Sequence, residues 1–183
     1  MLRVKTRQKY LKELGFYDGE IDGSWGTKSE NATLALQKKY FSKKSDRDGV
    51  YGKNTDILLR SAYNCRDLKY FTLKEFKCKC GGKYCTGYPA VVSRSLVTKL
   101  DKNLRVKYGA ISIISGLRCK KWNVIQGGVS NSEHTKGKAV DFRCAESRKG
   151  SSARNGIIKY CKKHFSYSYG NTSGMGASIH VNV

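Results

Sequence analysis

One short pattern occurs twice in the first third of the chain and constrains its folding more than any other feature. Ile21-Asp22-Gly23-Ser24-Trp25-Gly26 returns as Arg47-Asp48-Gly49-Val50-Tyr51-Gly52. Asp hydrogen-bonds to nearby backbone and Gly accepts positive φ, so each Asp-Gly pair predicts a turn. The aromatic residue before the second Gly is placed to pack over that turn. Apolar residues at helical spacing follow both copies: Ala32, Ala35, Leu36 and Tyr40 after the first, Leu58, Leu59 and Ala62 after the second. Thr27 and Glu30 have capping-box spacing. A further helix carrying Leu11 and Leu14 precedes the first copy and ends at Gly15. These signals predict a small three-helix domain over residues 1–62 with two Asp-Gly loops. It contains no His and no Cys, and its carboxylates fall mostly in turns or caps, so nothing in it points to a reaction centre.

Residues 63–70 read as a connector, and the texture changes from Phe71 onward. Val92, Leu96, Leu100 and Leu104 mark an amphipathic helix. Ala110 to Ile114, Ala139 to Phe142 and Ile179 to Val183 read as strands, with Ile157, Ile158 and Cys161 on a helix between the last two. That order predicts an α+β domain over 71–183, built on a central antiparallel sheet that collects residues from distant parts of the chain.

The chain has three His, at 134, 164 and 180, all in this second segment. Ser132-Glu133-His134-Thr135-Lys136-Gly137-Lys138-Ala139-Val140-Asp141 is its densest polar run. Asp141 sits between Val140 and Phe142 and needs a partner if it is buried. Gly137 lets the backbone turn sharply enough for His134 and Asp141 to face one point. His180 and Asn182 alternate with apolar residues and so share a strand face. Two His and one Asp around Zn²⁺, with water in the fourth position, make a sound catalytic arrangement. The plain alternatives are an Asp141 salt-bridged to one of many cations and a His180 satisfied within the core.

Seven Cys cannot all pair within one chain, which favours free thiols. Cys78-Lys79-Cys80 followed by Cys85 is cramped and has no clear fourth partner, so local thiols are the better reading there than a second metal site.

A formal charge of +22 implies attraction to a polyanion, either nucleic acid or a wall rich in anionic polymers. No Arg-rich arm, Cys-and-His finger or aromatic-interleaved basic strand supports nucleic acid. No apolar run approaches the ~20 residues that cross a bilayer, and the start lacks a hydrophobic leader. The expectation is a monomer made in a cytoplasm, bound to neither nucleic acid nor membrane.

Ser115-Gly116-Leu117-Arg118-Cys119, the run from Gly127 to Phe142, and Ile179-His180-Val181-Asn182-Val183 closely resemble the M15 family of zinc D,D-carboxypeptidases and L-alanyl-D-glutamate endopeptidases. Phe71-Thr72-Leu73-Lys74-Glu75-Phe76-Lys77-Cys78 looks like the opening of the branch found in phage endolysins. Leu14 to Gly19, Ile21 to Gly26, Ala35-Leu36-Gln37 and Asp48 to Gly52 resemble the type 1 peptidoglycan-binding domain. The resemblance implies zinc held by His134, Asp141 and His180. It places Arg118 at the metal centre for a substrate carboxylate or an oxyanion, and Ser132 against substrate or as a turn cap. Two wall-directed halves on one basic, leaderless chain fit a phage lysin, released from a host cytoplasm by a companion membrane-permeabilising protein, and the charge suits a Gram-positive wall as partner. The usual general base is missing. Its two family positions hold Ala177 and Asn182, leaving Asn182 an orienting role and Glu133, Glu146 or His164 as replacements. A rival reading is a non-catalytic wall-binding protein with a structural zinc site.

Overall fold

The computed structural model describes residues Met1–Val183. Three helices open the chain: α1 (Val4–Glu13), α2 (Thr27–Tyr40) and α3 (Lys53–Asn64). Each buries an apolar side on the other two through Leu11, Leu36, Leu58 and Leu59, all wholly inaccessible. The Asp-Gly loops lie between successive helices, with Gly23 and Gly49 at φ 89° and 77°. The capping box expected at Thr27 does not form. Helix α2 begins at Thr27 itself behind Gly26, and no side chain caps it.

The internal repeat extends to the hydrogen bonds. Gln8 of α1 donates to Asp22 Oδ1 at 2.8 Å and to the Ser24 carbonyl at 2.9 Å, and accepts from Gly23 N. Gln37 of α2 donates to Asp48 Oδ1 at 3.0 Å and to the Val50 carbonyl at 3.1 Å, and accepts from Gly49 N. Both amides are buried. A buried polar group is tolerated only when its partners are fixed, and here each amide staples one loop to the helix before it. Trp25 and Tyr51 pack edge to face against each other, centroids 5.3 Å apart, rather than each over its own turn.

Helix α3 runs to Asn64, two residues into the expected connector. The following residues are fastened rather than loose. Asp101 accepts the backbone N–H groups of Lys69 and Tyr70, and Arg94 forks onto Asp67. Asp101, which helical spacing puts on a polar face, is therefore buried, and it is spent on holding the connector. The helix of residues 94–108 has three parts: α4 (Arg94–Lys99), a π-helical stretch (Leu100–Leu104) and α5 (Arg105–Tyr108). Val92 lies just ahead of it, before the Ser93 cap.

A four-stranded antiparallel sheet follows, with β1 (Ile111–Ser115), β2 (Ala139–Cys144), β3 (Tyr167–Gly170) and β4 (Ile179–Asn182) in the order β1-β2-β4-β3. The short helix α6 (Lys120–Ile125) leaves β1, and α7 (Ser151–His164) connects β2 to β3. Successive side chains on a strand point to opposite faces. One face carries Val140, Phe142, Ile179 and Val181, all fully buried, and α7 packs over it through Ile157 and Cys161. The other face is polar. The apolar cluster is continuous through both parts of the chain.

Candidate metal centre on the polar face of the sheet

Cross-strand register builds the site. Asp141 on β2 lies directly opposite His180 on β4, and His180 lies opposite Tyr169 on β3. An irregularity between Ile113 and Ser115 turns Ser115 of β1 toward Asp141. Ser115, Asp141, His180 and Tyr169 thus form one row across the polar face. His134 reaches the row from a 3₁₀ turn (Glu133–Lys136) that ends at Gly137 with φ 75°. A side chain at Gly137 would meet the Val91 carbonyl oxygen at 2.1 Å, so the turn that aims His134 requires glycine.

Three donor atoms converge. His134 Nε2 lies 3.3 Å from His180 Nδ1 and 3.3 Å from Asp141 Oδ1, and His180 Nδ1 lies 2.8 Å from the same oxygen. His134 Nδ1 stands 2.7 Å from the Gly116 carbonyl oxygen, which can only accept. That nitrogen therefore carries the proton and Nε2 is left bare, the orientation a metal-binding imidazole needs. Donor atoms around a tetrahedral zinc are separated by roughly 3.3 Å, so the residues fit the ion. All three are at least nine-tenths buried. Burial opposes ionisation of Asp141, but the adjoining imidazoles of His134 and His180 outweigh it and hold its carboxyl well below the usual range. Neither of two hollows, of about 520 and 840 Å³, includes these residues.

Arg118 flanks the trio, its guanidinium donating to Asp141 Oδ2 at 2.6 Å and to Ser115 Oγ at 2.8 Å. Ser132 is nearly buried beside His134 and its hydroxyl makes no cap bond to the 3₁₀ turn, so of its two expected roles the cap is not formed. Asn182 shares the polar face two residues beyond His180 but makes no side-chain hydrogen bond to the trio. The candidate bases are engaged elsewhere. Glu133 pairs with Lys136 and Glu146 with Lys149. His164 belongs to α7, on the far side of the sheet, where its ring meets Asn103. Two members of the row escaped the sequence reading. Tyr169 packs at a tilt against His180 with centroids 4.8 Å apart, and its phenol is pushed up by burial and then by the Asp141 carboxylate. The polar run Ser166-Tyr167-Ser168-Tyr169 carries no apolar signal, which hid β3 altogether, and Ser115 joins only because of the irregularity in β1.

Comparison with known proteins agrees with both halves. The model of the peptidase M15 family matches residues 69–182, and that of a peptidoglycan-binding domain matches residues 2–55. The N-acetylmuramoyl-L-alanine amidase CwlM of Mycobacterium tuberculosis is 40% identical over 60 residues. That match covers 33% of this chain and 13% of the amidase, so the chain spans only a small part of that relative's length.

Proposed function

Since the chain belongs to the peptidase M15 family and carries a peptidoglycan-binding domain ahead of it, we propose that it is a zinc-dependent endopeptidase of bacterial wall peptides, working as a phage-type endolysin. The observation that carries this reading is the meeting of His134 Nε2, Asp141 Oδ1 and His180 Nδ1 within 3.3 Å. Zinc held there supplies Lewis acidity toward a carbonyl and a more acidic water. Arg118 contributes a fixed positive charge beside the three ligands, suited to a developing oxyanion or a substrate carboxylate. Ser132 offers an uncommitted hydroxyl at the same edge. Tyr169 walls the opposite edge and packs its ring at a tilt against His180.

The substrate is a stem peptide or cross-link of peptidoglycan, cut at an L-alanyl-D-glutamate or a D-alanyl bond. A wall-binding domain ahead of the site suits a lysin that cuts within the stem or cross-bridge, which supports internal cleavage. The first domain and the +22 charge keep the enzyme on an insoluble polymer, and two attachments to one polymer raise effective concentration. Anionic polymers of a Gram-positive wall suit that charge. A monomer synthesised in a host cytoplasm and released by a membrane-permeabilising partner completes the proposal. No helix is long and apolar enough to cross a membrane.

A second reading, a non-catalytic wall-binding protein, draws on one observation. Among residues 71–183 every carboxylate other than Asp141 is committed elsewhere: Glu75 to a capping box, Asp101 to the connector, Glu133 and Glu146 to lysines. Digestion of purified Gram-positive peptidoglycan with and without a zinc chelator, followed by mass spectrometry, separates the two. New chelator-sensitive termini are expected, and they name the bond. Intact peptides with folded, zinc-loaded protein would leave the binding reading, and Asn182→Asp becomes the variant that should create turnover.

A further inference from the structure

The seven thiols are not scattered. Cys78, Cys80, Cys85 and Cys119 bring their sulfurs within 4.8 Å of one another, although Cys119 lies 41 residues from Cys78. Cys80 and Cys85 sulfurs are 3.5 Å apart, and Cys78 Sγ accepts the Cys119 backbone N–H at 3.4 Å. All seven cysteines are free thiols. Sulfurs of a tetrahedral zinc tetrathiolate are separated by roughly 3.8 Å, given a Zn–S length of about 2.3 Å.

The surroundings suit such an ion. Between Lys77 and Val92 the chain forms turns and bends with no helix or strand, yet Cys78, Cys80 and Tyr88 are buried within it. Gly81 and Gly82, at φ 64° and 87°, wrap the backbone tightly between Cys80 and Cys85. An irregular segment this long needs a staple. Four thiolates around a divalent ion leave two negative charges, and Lys79, Lys83, Lys120 and Lys121 follow the ligands closely in sequence.

We propose that Cys78, Cys80, Cys85 and Cys119 hold a second, structural zinc ion that ties the 77–92 segment to the stretch carrying Arg118. On ligation each thiol gives up its proton to solvent. With four protein ligands the site is closed and non-catalytic. Its reach into the metal centre runs through residues 116–119. Leu117 N donates to the Phe76 carbonyl, and any side chain at Gly116 would meet that oxygen at 2.6 Å. Gly116 O orients His134, Arg118 N donates to the His134 carbonyl, and Cys119 closes the stretch. Residues 76–78 and 116–119 thus form one clamp, with the four sulfurs as its pin. The metal assignment stands whether or not the protein is a peptidase.

The test uses the full chain with His134→Ala and His180→Ala together, purified under reducing conditions and exchanged with cobalt(II). One cobalt per chain is expected, with intense thiolate-to-cobalt charge-transfer and tetrahedral ligand-field bands. The unsubstituted chain should hold two zinc ions by elemental analysis, and Cys85→Ser with Cys119→Ser should hold one and lose the thiolate bands. A His variant that binds no cobalt, gives no thiolate bands, or shows a Cys80–Cys85 disulfide overturns the proposal. If the Cys variant does not fold, the His variant alone decides, and neither result depends on peptide hydrolysis.

Discussion

Asp22 in the first Asp-Gly loop and Asp141 on the sheet are both carboxylates held low by hydrogen bonds, and they serve opposite ends. Asp22 is held first by the Gln8 amide and then by the Ser24 backbone. Its donors are neutral and carry no exchangeable charge, so the arrangement can only fix a loop. Asp141 is held, against burial, by two imidazoles. Those ring nitrogens, freed of any proton, are also metal-ligand atoms and can share a cation with the carboxylate. The same acid therefore becomes a staple or a ligand according to whether its partners can share an ion with it. Chain separation differs as well. The loop bonds span 14 residues from Gln8 to Asp22 and 11 from Gln37 to Asp48, whereas His180 and Asp141 are 39 apart.

The largest effect should come from the ligands. His134→Ala or Asp141→Ala should cut peptidoglycan hydrolysis at least about a thousandfold, equivalent to about 4 kcal/mol of lost transition-state stabilisation. Binding to sacculi by residues 1–62 should persist, and a folded variant that lost both would break the division between the two regions. Arg118→Ala should lower kcat about 10²- to 10³-fold. Arg118→Lys should recover little, because a single ammonium cannot span Ser115 and Asp141 as the guanidinium does; unchanged turnover in either variant would remove Arg118 from the site.

The loop staples sharpen the contrast from the other side. Gln8→Ala or Gln37→Ala should destabilise the first region by about 1–3 kcal/mol, since each removes a buried amide that makes several loop hydrogen bonds at once. Hydrogen exchange should quicken there and wall retention should weaken, while hydrolysis of a soluble stem peptide stays the same. Equal losses in both assays would mean the regions are energetically one unit. Glu133→Gln should change turnover by less than about threefold, because its carboxylate faces Lys136. A loss of about a hundredfold or more would identify Glu133 as the general base.

The helical part was legible because its signals are local. Asp-Gly turns and apolar residues at helical spacing act over a few residues, and α1, α2 and α3 lie where those signals put them. The strands bearing Asp141 and His180 were legible for the same reason, since alternation needs only neighbours. Strand β3 was not, because Tyr167 and Tyr169 face the polar side and leave no apolar run. Asp101 misled, since helical spacing cannot foresee a connector folding back to use its carboxylate.

By itself, then, the sequence determined the longer helices, every strand but β3, the turn residues and the identity of three potential ligands. The tertiary structure alone decided that Asp141 faces His180, that the irregularity in β1 adds Ser115 and Tyr169 joins from β3, and that Cys119 joins Cys78, Cys80 and Cys85. Register is the reason: a one-residue slip along a strand sends every side chain to the opposite face, and it is settled by the packing of the whole sheet against α7.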